Sequence, residues 1–112
     1  MSRLSVTLGE FEQLVLLALM RLGSDAYGAT VRREIEAHAG REVSISAVYT
    51  TLDRLERKGL VRSRIGEPTP ERGGRRRRHF DLLPLGARSV RDAYRALTGM
   101  TAGIERRLKT LS

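Results

Sequence analysis

Residues Ser44 to Val61 read S-I-S-A-V-Y-T-T-L-D-R-L-E-R-K-G-L-V, and the fold turns on this stretch. Val48, Leu52 and Leu55 recur at i, i+4 and i+7, which makes one apolar stripe on a helix. Ser44 or Ser46 supplies the N-cap hydroxyl, and Gly59 stands where a left-handed residue ends a helix. The opposite face carries Ser46, Tyr49, Thr50, Asp53, Arg54 and Arg57. Hydroxyls, an aromatic ring and guanidiniums at a helix N-terminus suit phosphate and base edges, and a helix of this size fits a DNA major groove. On these residues alone a merely solvated amphipathic helix is an equal reading, and the flanks decide between the two.

Downstream, Leu60 to Ile65 (L-V-R-S-R-I) predicts a strand, Gly66 to Gly74 is turn chemistry throughout, and Arg75 to Leu83 predicts the return strand. A hairpin after a helix is the layout of a wing. Strand alternation points Arg75 and Arg77 one way and Arg76 and Arg78 the other. Beside a candidate recognition helix, this run is expected to touch DNA backbone, with one arginine free to enter a minor groove. An isolated charge run would be only solvated.

Upstream, Thr7-Leu8-Gly9-Glu10 matches a capping box, and a helix is predicted from there to Leu22, stopped by Gly23. Its apolar residues, Phe11 and Val15 among them, cover most of the circumference. That fits a central core helix of a monomer or, the favoured reading, a helix with a second subunit as additional cover. Ser24-Asp25 caps a second helix, from about Ala26 to Ala39. Arg41 to Val43 is a short connector with scope for a minor strand. Two helices joined this closely, the second with a polar N-terminal face, read as helix-turn-helix.

Pro84 opens the last helix. Val90, Tyr94, Leu97, Thr101, Ile104, Leu108 and Leu111 follow at spacings of 4, 3, 4, 3, 4 and 3. This heptad seam predicts one helix of about 28 residues and about 42 Å, longer than the core of so small a domain needs, packed on a second copy. Gly99 and Gly103 imply close helix approach, a local bend or a fraying tail. The division expected is a DNA-binding unit over 1–83 and a dimerisation helix over 84–112.

The 112 residues carry a formal charge of +8, and 19 of the 21 basic side chains are Arg. Residues 54–78 hold ten basic and three acidic side chains, a net of +7, so the positive field belongs to the candidate helix and wing. Arg suits bidentate phosphate and guanine contacts, although a GC-rich genome would also enrich it. With no Cys, disulfides, thiolate zinc and a Cys nucleophile are excluded. His38 and His79 lie on separate elements with no partner at ligand or triad spacing. No nucleophile–base pair, metal spacing or phosphate loop is visible, so neither an enzyme nor a cofactor is expected. The longest apolar run, Leu14 to Met20, is too short to span a bilayer, and the N-terminus lacks a secretory pattern. A soluble, cytoplasmic protein is expected.

Three segments carry a family resemblance. Ala47 to Val61 (A-V-Y-T-T-L-D-R-L-E-R-K-G-L-V), Ala26 to Ile35 (A-Y-G-A-T-V-R-R-E-I) and Gly73 to Gly86 (G-G-R-R-R-R-H-F-D-L-L-P-L-G) resemble the recognition helix, second helix and wing strand of the PadR family of bacterial transcriptional regulators. The similarity runs from about Leu8 to Tyr94. Many members have Pro after the tyrosine and Gly at the position of Ala47, where this chain has Thr50 and Ala47.

The resemblance implies a mainly α winged helix-turn-helix with a small β-hairpin and a long C-terminal dimerisation helix packed on the partner's first helix. It implies a homodimeric repressor on an inverted-repeat operator, with Tyr49 toward phosphate and Thr50 and Arg54 toward base edges. The expected DNA-binding set is Ser44, Ser46, Tyr49, Thr50, Arg54, Arg57, Arg75, Arg76, Arg77 and Arg78. The expected dimer set is Phe11, Val15, Val90, Tyr94, Leu97, Thr101, Ile104, Leu108 and Leu111. Release by a small-molecule effector of unknown identity fits this frame. A winged-helix interaction module for protein or structured RNA is the alternative.

Overall fold

The computed structural model describes residues 5–66 and 76–111. In chain order these form α1 (Glu10–Leu22), a 3₁₀ turn (Gly23–Asp25), α2 (Gly28–Ala39), α3 (Ile45–Arg57), β1 (Val61–Ile65), β2 (Arg78–Leu82), α4 (Pro84–Thr101) and α5 (Glu105–Lys109). The architecture is mainly α with one antiparallel hairpin, a winged helix-turn-helix followed by a long C-terminal helix.

The helix boundaries follow from which side chains have partners elsewhere. The first helix starts later than Thr7, with Gly9 at the N-cap, and Glu12 rather than Glu10 reaches back, its Oε1 accepting from the Gly9 N–H at 2.9 Å. Glu10 is held instead by Arg41, at 3.1 and 3.2 Å. Likewise α2 starts two residues after Ala26: Tyr27 is its N-cap residue, and the Tyr27 N–H donates to Thr30 Oγ1 at 2.9 Å. Arg41 to Val43 forms no strand. The hairpin's extra edge pairing comes from Ala26 and Tyr27, where the Phe80 N–H donates to the Ala26 carbonyl at 2.8 Å and Tyr27 bridges His79.

The core lies where α1, α2 and α3 meet the base of the hairpin. Val48, Leu52 and Leu55, the stripe of the deciding stretch, are fully buried with Val15, Leu16, Val31, Leu60 and Phe80. Each large apolar side chain so buried contributes about 1.5–3 kcal/mol. A Lys58–Glu12 ion pair of 2.7 Å ties the end of α3 to the start of α1. Burial alone would raise the Glu12 pKa. The Lys58 ammonium, the Gly9 N–H and the nearby Arg54 charge outweigh it and hold this carboxyl below its ordinary value.

The C-terminal helix departs from the single long rod. Pro84 does occupy its first turn, and Gly86, Ser89 and Val90 pack into the core, with the Val6 N–H donating to Ser89 Oγ at 2.8 Å. It then ends at Thr101. A turn over 102–104, with Gly103 at φ +85°, precedes the short α5. From Tyr94 onward the seam lacks cover: Tyr94, Leu97, Ile104, Leu108 and Leu111 are exposed and Thr101 is partly so, and Met100 beside it and Leu17 and Met20 on α1 are exposed as well. Val15 and Val90, expected at the subunit seam, are 0% and 2% exposed and belong to the core of this chain. No helix among the described residues is long and apolar enough to cross a membrane.

Candidate nucleic-acid interface

Helix α3 presents its polar face because its stripe is anchored beneath it and both its ends are fixed. At the N-terminus, Ser44 Oγ accepts from the Ala47 N–H at 3.1 Å, so of the two candidate serines Ser44 is the cap. Ser46 stays exposed beside it, its Oγ 3.5 Å from Ser44 Oγ. At the C-terminus the Leu60 N–H donates to the Leu55 carbonyl at 2.9 Å and the Gly59 N–H to the Glu56 carbonyl at 3.0 Å. This is a Schellman closure, and it requires the φ of +78° that Gly59 adopts.

Along the outer face, Tyr49, Thr50, Arg54 and Arg57 are exposed. The hydroxyls of Tyr49 and Thr50 make no hydrogen bond, and Arg54 and Arg57 make no ion pair, among the described residues. The Tyr49 ring lies across Gly28 at the N-terminus of α2. A Cβ built on Gly28 would stand 2.3 Å from Tyr49 Cζ and 2.4 Å from its hydroxyl. Neither the glycine nor the contact emerges from sequence reading, since α2 and α3 meet there across 21 residues of chain.

The hairpin pairs Val61 with Leu82, Ser63 with Phe80 and Ile65 with Arg78. Partners across a ladder share a face, so Ser63, Phe80 and Arg78 point toward α3 while Arg62, Arg64, His79 and Asp81 point away. Of the arginine run only Arg78 lies in β2, with Arg76 and Arg77 just before it. Arg76 is exposed and forms no ion pair among the described residues. Arg77 lies over the Tyr27 ring, 4.7 Å from its centroid. Arg78, expected to reach DNA backbone with the rest of the run, is engaged within the chain. It turns inward, bonding Asp53 at 3.0 Å and Glu56 at 2.9 Å, because its side of the strand faces α3. Glu56 also accepts from the Ser63 N–H at 3.0 Å and the Ser63 hydroxyl at 2.8 Å. The Ser63 bonds, then Arg78, hold the Glu56 carboxyl below its ordinary pKa. Arg75 and most of the Gly66 to Gly74 loop lie outside the described residues.

Two further cations matter. Arg62, not singled out by the sequence reading, is exposed on the outer face of β1 with no ion pair among the described residues. Strand alternation is the signal that would have found it. Arg64, by contrast, bonds Asp81 at 3.0 Å and the Ser24 carbonyl at 3.2 Å. Both acids of α3, Asp53 and Glu56, are thus engaged by Arg78, while Arg54, Arg57, Arg62 and Arg76 make no ion pair among the described residues. The surface offers hydroxyls and guanidiniums for hydrogen bonding.

Away from this surface, His38 sits at the rim of a groove of about 370 Å³ between α1 and α2, lined mainly by apolar groups of Leu14, Leu17, Met20 and Ile35. Arg21 Nη2 donates to His38 Nε2 at 2.9 Å, and Arg21 pairs with Glu34 at 2.6 Å. Among the described residues no cluster of three or more His, Cys, Asp or Glu side chains could hold a metal ion.

The chain matches the Transcriptional regulator PadR-like family over residues 16–92. No curated protein matches it. Among solved structures it is similar to a PadR family transcription regulator from Clostridium difficile, at 18% identity over 89% of this chain and 99% of that one, with a TM-score of 0.73. It is similar to a PadR family transcriptional regulator from Eggerthella lenta, at 25% identity over 91% and 88%, with a TM-score of 0.65. It is also similar to hsRosR-S1 of H. salinarum in a complex structure, at 26% identity over 91% and 84%, with a TM-score of 0.65.

Proposed function

The chain belongs to the PadR-like family of transcriptional regulators, and from that premise we propose that it acts as a homodimeric, cytoplasmic repressor that reads an inverted-repeat operator. One observation carries the reading: on a single face of α3, Tyr49, Thr50, Arg54 and Arg57 are exposed, and among the described residues their side chains make no hydrogen bond or ion pair. Unused donors on a capped helix of 13 residues are what a major groove engages.

In this account Ser44 and Ser46 bring the α3 N-terminus to a phosphate, and Tyr49 contacts the same backbone. Thr50 and Arg54 reach base edges, with Arg57 flanking them. Arg76 and Arg77 of the wing hold phosphates on the adjoining turn, with Arg75 continuing the run. The chain binds and does not catalyse, and it needs no cofactor.

The exposed seam from Tyr94 to Leu111, with the exposed Leu17 and Met20 on α1, is the surface we assign to the second copy, since so many exposed large apolar side chains are seldom left to solvent. The division at 83/84 belongs to this proposal, with the first two turns of α4 serving the core and the remainder the dimer. An effector acts by biasing the angle between the two α4 helices, which resets the spacing of the two α3 helices.

Footprinting on the region upstream of its own gene tests the reading. The expected result is two protected half-sites about one helical turn apart, roughly 34 Å. Protection that ignores sequence, or none, contradicts it and moves a protein- or RNA-binding module ahead.

A further inference from the structure

The base of the wing is joined to α3 by side chains that the DNA-facing surface does not use. Arg78 Nη1 donates to Asp53 and Nη2 to Glu56, so one guanidinium spans two carboxylates three residues apart on α3. Its carbon stands 4.8 Å from the centroid of the Phe80 ring, which fixes its plane. Glu56 receives two further bonds from Ser63 on the other strand. A single carboxylate on the recognition helix therefore grips both strands of the hairpin.

Apolar packing does not reach this far along the wing. Val61 and Phe80 are buried, but Ile65, which pairs with Arg78, is 61% exposed. On the opposite face the hairpin is tied elsewhere: Arg64 bonds the Ser24 carbonyl, and His79 meets the Tyr27 ring edge-on at 5.3 Å. Those contacts anchor the wing to the segment before α2. The base of the hairpin is fixed to α3 by the short link at Lys58 to Leu60 and by the buried Val61 and Phe80; further along the wing, the Arg78–Asp53–Glu56–Ser63 network sets it against α3.

We propose that Arg78 and Glu56 are positioning residues that fix the angle between wing and recognition helix, so that Arg76 and Arg77 meet the same duplex in register with Arg54. Neither touches DNA. The inference rests on the DNA-reading function above, which supplies the reason for a fixed angle. It differs in sign from direct contact. An arginine that binds phosphate is restrained by neighbouring acids, so removing those acids strengthens binding to any duplex. A strut loses its anchor when they are removed.

The test uses Asp53→Asn/Glu56→Gln, Arg78→Gln and the triple variant, with an operator duplex and a shuffled duplex. The expected result is that each of the first two lowers the operator-to-shuffled preference by about tenfold, the cost of one misread base pair, and that the triple variant loses no more. Stronger binding of Asp53→Asn/Glu56→Gln to both duplexes, or a further loss in the triple variant, would overturn the proposal. Residual dipolar couplings of the β1 and β2 amides, taken without DNA, supply an independent readout. The wing is expected to lose its fixed orientation to α3 in both variants while the core couplings persist, and unchanged couplings sink the proposal. Absence of any duplex preference in the wild type would count against the DNA-reading function, and the couplings would still decide whether Arg78 and Glu56 position the wing.

Discussion

The Tyr49 ring lies so close over Gly28 that it leaves no room for a side-chain atom there. A methyl group at 28 would lie 2.3 Å from the tyrosine ring, so Gly28→Ala must push the ring outward or shift α2. Overpacking of this kind costs about 1–3 kcal/mol. A lower melting temperature with weakened duplex binding is expected, and an unchanged melt and affinity would show the ring to be loosely held. A second prediction concerns Glu12. Its carboxyl, like that of Glu56, is held below the ordinary value of 4.5 in the folded chain. The stability each contributes is therefore fully present above the ordinary carboxylate range and is lost as pH falls through the folded value. Urea unfolding between neutral and acidic pH should show a steeper loss for the wild type than for Glu12→Gln. At this scale the sequence was legible where partners are local, as with Ser44 and the Ala47 N–H. It misled at Thr7 to Glu10, because the pairings Glu10–Arg41 and Glu12–Lys58 span 31 and 46 residues.

At the level of elements, α3 followed its pattern from end to end because its cap, stripe and closing glycine all act within one helix. The hairpin did so in outline. The alternation of the arginine run gave no sign that Arg78 turns inward, because its acceptors lie 22 and 25 residues away on another element. The last helix shows where period alone fails. The seam continues through Ile104 and Leu108, yet backbone geometry interrupts it at Gly103, whose φ of +85° suits glycine. Gly103→Ala should disfavour that turn and let α4 and α5 join. Far-UV circular dichroism is expected to gain helix signal, about one turn's worth. A drop in helicity would mean that α5 is held in place by something other than the glycine.

For the molecule as a whole, two surfaces with different chemistry divide the work. Under the proposed function the exposed guanidiniums of α3 and the wing serve DNA, and the exposed seam of α4 and α5 serves a second copy. The seam makes a prediction of its own. Leu97 is 57% exposed and Leu108 46%, so Leu97→Glu/Leu108→Glu should leave the core intact. Light scattering is expected to show dimer for the wild type and monomer for the variant. Loss of the linked second half-site should weaken operator binding about a hundredfold. A variant that stays dimeric would place the interface elsewhere. Whether α3 reads sequence is decided by fluorescence anisotropy. The duplex from upstream of the protein's own gene would be compared with a shuffled duplex of equal composition, at two salt concentrations, for the wild type and Arg54→Ala. A clear preference for the native duplex is expected, cut by about 1–3 kcal/mol in Arg54→Ala, together with steep salt dependence. Equal, salt-sensitive binding to both duplexes, unchanged by Arg54→Ala, would contradict it.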